Sequence, residues 1–259
     1  MALTQRHRFV LAGVFFYLFF LLAWMPAEVV ARLVAERSQQ RVFLLDPQGT
    51  AWKGGASQVV LTSSGEQIML PKFSWNARLD RLIRGQIAAE LALGNGSHAL
   101  VATTPSSIAL ENASVTVPAQ LLTFAMPSLA VWQPSGDLKL DTKRLLVSKD
   151  GAEGQGSLLW QRAGTRLSRI QPLGDYSVNM DGKKDQLGFS VTTLSGSLQL
   201  NGQGVWRSKT DWEFNGQARA DQGKQTELGD LLKLISHRSE GGVYLLQFKS
   251  NNLSTGGAG

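Results

Sequence analysis

The sequence offers few side chains that could catalyse a reaction or bind a metal. Its 259 residues include no cysteine, which excludes thiol nucleophiles, cysteine-ligated metals and disulfide bonds. The three histidines are His7, His98 and His237, and we expect structural roles for the last two. The carboxylates occur singly, and the Gly-rich segment 151–156 opens a strand-like stretch rather than a helix, unlike a phosphate-binding loop. The sequence therefore predicts no enzyme activity, no cofactor and no metal site.

The longest uncharged segment, FVLAGVFFYLFFLLAWM, spans residues 9–25 and follows two arginines, Arg6 and Arg8. As a helix it would be about 26 Å long, close to the ~30 Å hydrocarbon core of a bilayer. Trp24, near its far end, is of a type enriched at membrane interfaces. We therefore expect a single transmembrane anchor over residues 9–25. A cleaved signal peptide and a buried core helix are the alternatives.

The segments on either side of this anchor bear on its orientation. Basic residues occur on both sides, so their count does not fix the orientation. The short head, residues 1–8, is easier to leave in the cytoplasm than the rest of the chain, so we expect the body on the outer side. Residues 26–40 are predicted to continue as a helix next to the membrane. That helix is either a solvated extension of the anchor or a surface for partner membrane proteins.

Beyond Arg41 the dominant pattern is an alternation of apolar and polar residues. From Leu194 to Gly204, every second position is Leu or Gly, whereas the positions between them are Ser, Gln or Asn. This period of two is typical of strands with one face on a core and the other in water. The fold class that we predict is mainly β. The transmembrane helix precedes a twisted, Gly-rich antiparallel sheet over residues 41–249, which forms a sandwich or an open barrel or groove.

Two short helices are predicted to interrupt the strands and to close an end of the sheet. The first covers residues 118–126, with a proline that suits a first helical turn, and the second covers residues 226–237, with Thr226 as its N-cap. Residues 250–259 are polar and Gly-rich, which predicts a disordered tail. Repeated Gly–Trp spacings favour two similar halves that meet near residue 131, although one continuous sheet explains them equally well.

A set of motifs distributed over residues 10–249 resembles a known family. The segment 49–56, GTAWKGGA, resembles the G-T-x-W-x-G-x-A signature of protein N of the bacterial type II secretion system. Later segments resemble that family's further motifs in the same order. Ala51 departs from the pattern, because a β-branched residue is commoner at that position. The motif residues are Gly49, Thr50, Trp52, Gly54, Ala56, Trp75, Gly136, Leu138, Gly174, Tyr176, Gly196, Gly204 and Trp206.

The resemblance implies a single-pass inner-membrane protein with a cytoplasmic N-terminus and a periplasmic β-rich domain in a Gram-negative bacterium. Such a protein would be an accessory part of the machine that exports folded proteins across the outer membrane. Its expected partners are the other inner-membrane subunits, the periplasmic part of the secretin and membrane lipids. The family has no assigned reaction, so the resemblance implies no catalytic residue.

One candidate interaction surface is the apolar side of the late strands, with Trp206, Trp212 and Phe214. The simpler interpretation is an ordinary core that the helix over residues 226–237 closes. The alternative is an exposed groove that accepts a strand from a partner or an acyl chain.

A second candidate surface is basic and contains Arg78, Arg81 and Arg84, interspersed with apolar residues. It could contact anionic lipid headgroups or an acidic partner, or it could be a solvated loop or short helix. The net charge of +6 does not indicate nucleic-acid binding, because the basic residues are spread along the chain and the expected location is outside the cytoplasm.

Two functions follow from these patterns. The first is a non-catalytic scaffold subunit of a type II secretion assembly, which acts by protein–protein binding. The second is an envelope protein that binds or transfers lipid in an apolar β-groove, since AsmA-like proteins also combine one N-terminal helix with long Gly-punctuated strands.

Overall fold

The computed structural model describes residues 5–63, 66–148, 151–183, 186–208, 211–236 and 238–250, and most of these residues belong to strands. His237 and most of the predicted tail, residues 251–259, lie outside the described residues. The helices are α1 (Gln5–Ala23), α2 (Ala27–Arg37), α3 (Leu79–Leu82), α4 (Leu121–Ala125) and α5 (Gln225–Ile235), with a 3₁₀ helix at Pro127–Trp132.

The strands follow the alternating sequence pattern closely. They are β1 (Val42–Leu45), β2 (Gln48–Gly49), β3 (Lys53–Ala56), β4 (Gln58–Ser63), β5 (Glu66–Leu70), β6 (Phe73–Ala77), β7 (Ile87–Leu93), β8 (His98–Thr103), β9 (Ser107–Pro118), β10 (Pro134–Ser148), β11 (Gly151–Thr165), β12 (Gly174–Lys183), β13 (Gln186–Gly196), β14 (Leu198–Ser208), β15 (Asp211–Ala220), β16 (Arg238–Glu240) and β17 (Val243–Lys249). The Gly-rich segment 151–156 thus begins β11, as its sequence predicts.

Within the described residues, fourteen strands form one antiparallel sheet in the order β16-β17-β15-β14-β13-β12-β11-β10-β9-β8-β7-β6-β3-β2. Strands β6 to β15 are added one after another, because each hairpin returns the chain beside the strand it has just left. The two edge strands, β2 and β16, each pair with one neighbour, so the sheet is open. Strands β1, β4 and β5 form a separate three-stranded sheet. The predicted antiparallel β fold is confirmed.

No helix among the described residues is both long enough and apolar enough to cross a membrane. The structure therefore does not support the single-pass anchor predicted over residues 9–25. Helix α1 ends at Ala23, and α2 begins at Ala27 after a short connection. Large apolar side chains are exposed all along α1, from Phe9 to Leu22.

The structure corrects both predicted short helices. Strand β9 continues through Pro118, whose register partner is Asp137, so this proline ends a strand and the helix begins only at Leu121. The last helix, α5, occupies Gln225–Ile235, and Lys224 precedes it without a side-chain capping bond. The prediction that Thr226 is the N-cap is therefore wrong. The division into two halves near residue 131 stays a prediction.

Helix α5 packs on the late strands and closes the largest core. Leu228 and Leu232 are fully buried there, against Phe214 on β15 and Leu246 on β17. Two smaller apolar clusters lie elsewhere, one between the small sheet and α4, and one of three alanines on β7, β8 and β9. A long sheet of this kind is thus stabilised by several local cores.

Replacing Leu232 by alanine should lower the free energy of unfolding by about 2–5 kcal/mol, because it leaves a cavity under α5. Leu234, on the same helix but 63% exposed, is the matched control, and Leu234→Ala should change the free energy by less than about 0.5 kcal/mol. Urea unfolding of the two variants measures both. Equal effects would contradict the packing of α5 on the sheet.

Candidate functional site

The segment 49–56 forms the β2–β3 hairpin at one edge of the large sheet. Thr50 closes its turn, because the backbone N–H of Thr50 donates to the Lys53 carbonyl at 2.9 Å and the Lys53 N–H donates to Thr50 Oγ1 at 3.1 Å. Gly49 has φ +91°, a left-handed conformation that favours glycine. The Gly-Thr pair at the start of the motif is thus explained by the shape of this turn.

The same hairpin is bonded to the connection between α1 and α2. Trp52 Nε1 donates to the carbonyl of Leu22 at 2.9 Å, and the Ala51 N–H donates to the carbonyl of Met25 at 2.8 Å. Pro26 and Thr50 form an isolated antiparallel bridge. The Leu22 carbonyl also accepts the Met25 N–H at 3.3 Å, so Trp52 adds a shorter bond from the sheet to a carbonyl at the end of α1. The hairpin thereby fixes the end of α1 to the edge of the sheet, and we call these contacts the α1 junction.

Trp75 supports the α1 junction from the next strand. It is buried, and its Nε1 donates to the carbonyl of Ala51 at 3.1 Å. Gly54 lies opposite Trp75 in the β3–β6 pair, and a Cβ at Gly54 would lie 2.6 Å from Trp75 Cζ2. Ala56, also buried, pairs with Phe73 at the other end of β3. The absence of a side chain at Gly54 therefore makes room for the Trp75 ring.

Two further motif residues, Leu138 and Tyr176, meet on either side of Trp160 in the middle of the sheet. Leu138, Trp160 and Tyr176 are register partners on β10, β11 and β12. Trp160 Nε1 donates to the Ser135 carbonyl at 2.9 Å, and the buried Tyr176 hydroxyl donates to the Leu198 carbonyl at 2.9 Å. Burial, and then the charge of Asp175, raise the pKa of Tyr176 well above its usual range.

Glycines of the motifs flank this row where strands approach closely. Gly136 has φ +96°, and a Cβ there would collide with the carbonyls of Gln161 and Arg162. Gly174 pairs with Gly196, which has φ +127°. The pairing of neighbouring strands brings these motif residues, which are far apart in the sequence, into one band that runs across the strands.

The predicted aromatic surface has two parts: Phe214 belongs to a core, whereas Trp206 and Trp212 lie near the end of β14 and the start of β15. Phe214 is buried, and its ring stacks at 6.0 Å on Phe189 and at 6.4 Å on Phe248. Gly204 lies opposite Phe214, and a Cβ at Gly204 would collide with the Phe189 ring. Trp206 and Trp212 are register partners and half-buried. Trp206 lines a cavity of about 630 Å³ with the turn between β8 and β9. The role of these residues in partner binding stays a prediction.

The predicted basic surface lies on and beside α3, and two of its arginines have acidic partners. Arg78 pairs with Asp80 at 3.0 Å and with Glu90 at 2.6 Å, which raises the pKa of Arg78 and lowers the pKa values of both carboxyls. Arg81 pairs with Glu111 at 3.1 Å.

No residue of α3 is buried, and the chain is most exposed just after the helix. Arg84 is exposed, and Ile83 is 91% exposed. Just before α3, the Ala77 N–H donates to the carbonyl of Trp52 at 2.6 Å. The end of α3 and the α1 junction therefore lie at the same end of the sheet.

Two cavities were not predicted from the sequence. One is a groove of about 1400 Å³ across β10 to β15 that is lined by both apolar and polar residues, and we call it the polar groove after the row of polar side chains that crosses it. Its lining includes one continuous row of register partners: Asp141, Ser157, Asn179, Ser190, Gln203 and Asn215. The alternation of apolar and polar residues in the sequence predicts which face of each strand is polar. Only the pairing of the strands shows that these polar side chains form one row across the sheet. The other is an apolar cavity of about 650 Å³ bounded by α2, the small sheet and β6 to β10.

His98 and the carboxylates form no metal site in the part of the chain that the structure describes, since no three such side chains cluster there. His98 is exposed, and its Nδ1 lies 3.3 Å from the Gly96 carbonyl oxygen beside a turn. The pKa of Asp141 is lowered, first by the hydrogen bond that Ser114 Oγ donates at 2.7 Å. These contacts stabilise strand connections.

A family model for type II secretion system (T2SS) protein N matches residues 40–247. The chain belongs to this family. The matched region begins just before β1 and ends within β17, so it covers both sheets except the last two residues of β17. No curated protein and no solved structure matches the chain. As a member of the protein N family, the chain is a component of a protein-secretion system and has a membrane-associated location.

In this protein N family member, Gly54→Ala should lower the free energy of unfolding by roughly 1–3 kcal/mol, because the added methyl overlaps the Trp75 ring and the backbone beside it. Gly229→Ala on α5 is the control, since a Cβ there meets no atom within 4 Å and alanine favours helix. Thermal unfolding of both variants should show opposite shifts. An unchanged unfolding temperature in Gly54→Ala would contradict the close contact between Gly54 and the Trp75 ring.

Tyr176→Phe should destabilise the protein by about 1–2 kcal/mol, because the buried Leu198 carbonyl loses its donor. Tyr244→Phe on the partly exposed β17 should cost less than about 0.5 kcal/mol. The raised pKa of Tyr176 also means that its contribution is present below the unfolded pKa and is lost as pH rises through the folded pKa. Urea unfolding between neutral and strongly alkaline pH tests this sign in the wild type against Tyr176→Phe.

Proposed function

We propose that the chain is a non-catalytic scaffold subunit of the type II secretion system, whose sheet is held beside the inner membrane by α1. The single observation that carries this proposal is the α1 junction. Trp52 and Ala51 bond the end of an apolar helix directly to the sheet edge, at 2.9 and 2.8 Å. Because α1 is bonded to the sheet edge, the position of α1 fixes the position of the whole sheet. This arrangement suits a protein whose function is to hold a binding surface at the membrane.

In this proposal the sheet lies in the periplasm, and α1, which is not both long and apolar enough to cross a bilayer alone, inserts its apolar residues into the inner membrane. The apolar side chains of α1 would lie in lipid, where their exposure has no hydrophobic cost. Ile83 and Arg84 at the end of α3 would then contact the membrane surface, because α3 lies at the same end of the sheet as the α1 junction. An exposed isoleucine beside an arginine suits the boundary between acyl chains and anionic headgroups.

The partners in this proposal are the other inner-membrane subunits and the periplasmic part of the secretin. The polar groove across β10 to β15 is the surface that we assign to a protein partner. Its row of hydroxyl, amide and carboxylate groups can form hydrogen bonds to an extended segment. The edge strands are less suitable, because β2 has two residues and β16 has three.

Deleting the gene should reduce the release of exported proteins into the medium, and affinity purification of the full chain should recover other secretion subunits. Asn179→Lys and Gln203→Lys in the groove should lower that recovery several-fold, since each inserts a long charged side chain into a hydrogen-bonding surface. Gln222→Lys, in the exposed turn between β15 and α5 and outside the groove lining, is the control and should not lower it. Normal release from the deletion strain, together with no recovered subunit, would overturn the proposal.

A further inference from the structure

The apolar cavity lies between α2, the small sheet and strands β6 to β10. Val30 and Val34 on α2, Val42 on β1, and Leu91 and Val101 on β7 and β8 are among its lining residues. All the atoms that face its space are apolar, although the chain around it contains Ser97 and His98. Water in a space of about 650 Å³ with such a lining would hydrate a large apolar surface, and an apolar occupant would remove that surface from water. A cavity of this size therefore calls for an apolar occupant.

The cavity adjoins the α1 junction through a shared side chain. Trp75 lines the cavity and donates through Nε1 to the Ala51 carbonyl, while the Ala51 N–H donates to Met25 beside the end of α1. Val30 and Val34, on the helix that follows, also line it. The cavity thus lies where α1, with its exposed apolar side chains, meets the sheet.

We propose that this cavity binds the acyl chain of a membrane phospholipid. The proposal rests on the membrane location proposed above, since that location supplies the ligand. A hydrocarbon chain has no polar atom and therefore leaves no hydrogen-bonding group unpaired against an apolar wall. An extended peptide would bury N–H and C=O groups without partners, which costs several kcal/mol per group.

The size of the cavity also distinguishes a lipid chain from a helix. A helix with side chains is about 10–12 Å wide, so this volume would hold only about four or five residues of it. Small-ligand sites usually have volumes of about 300–1,000 Å³, and the cavity lies within that range. A flexible chain can follow a narrow, curved space that a helix cannot enter.

Basic residues near the cavity suit the headgroup of the same lipid. Residues 38–41 connect two lining residues, Val34 on α2 and Val42 on β1. Arg37 at the end of α2 is exposed, and Arg41 lies 4.9 Å over the ring of Phe124. A phosphate at this connection would meet guanidinium groups, which bind phosphate well. We therefore expect anionic phospholipid to bind better than zwitterionic phospholipid.

The test uses the full chain reconstituted in vesicles that contain a phosphatidylglycerol with a photoreactive group near the end of one acyl chain. After illumination, mass spectrometry of peptides should find adducts on β7 and β8, in addition to adducts on α1. Val34→Trp and Val30→Trp, which fill the cavity from two positions, should each reduce the β7–β8 adducts at least fivefold. Leu33→Trp, on the exposed side of the same helix, should not reduce them.

Each result supports or overturns the proposal, and circular dichroism of each variant establishes that it is folded. Adducts on α1 without adducts on β7 and β8 would overturn the cavity proposal while leaving the membrane location intact. No adduct on either region would contradict the membrane location as well. Equal β7–β8 labelling in the Val34→Trp, Val30→Trp and Leu33→Trp proteins would show that the lipid lies elsewhere.

Discussion

Backbone hydrogen bonding between antiparallel neighbours determines where each functional feature of this protein lies. Because the fourteen strands are paired in one continuous ladder, a residue on one strand fixes the positions of its partners on all the others. The band of Leu138, Trp160 and Tyr176 and the polar row of the groove both result from this register. A slip of one residue in a single pair would turn a strand over and break both rows.

The ends of such a ladder need protection, since an unpaired edge can pair with another chain. Both edges are short here, two residues in β2 and three in β16. At the β2 edge, the chain between α1 and α2 lies against the hairpin, where Pro26 bridges Thr50. The contacts that protect this edge are the same ones that attach α1. The β2–β3 hairpin therefore both protects the sheet edge and attaches α1 to the sheet.

Much of the fold was predictable from the sequence because local patterns determine it. Alternation predicted antiparallel strands, and the motif order led to the protein N family, which the match over residues 40–247 shows. The sequence did not predict the contact from Trp52 to Leu22, which joins residues 30 positions apart. The glycines within strands predicted bulges, but not their positions in β10 and β11, and the sequence did not predict the cavities, which depend on several strands at once. The start of α5 at Gln225, after Lys224 rather than at a Thr226 cap, was missed because packing of Leu228 and Leu232, rather than a capping side chain, positions α5.

The placement of the sheet depends most on the attachment of α1 to its edge. Disulfide formation between two introduced cysteines tests this attachment directly. The chain has no native cysteine, so a Pro26→Cys/Thr50→Cys protein has one possible intramolecular disulfide. Bridge partners lie at Cα distances of about 4.5–5.5 Å, within the range that a disulfide requires. In membranes under mild oxidation, this pair should form a disulfide as fully as a Ser157→Cys/Asn179→Cys pair within the sheet. Complete oxidation of the sheet pair with none at residues 26 and 50 would contradict the account.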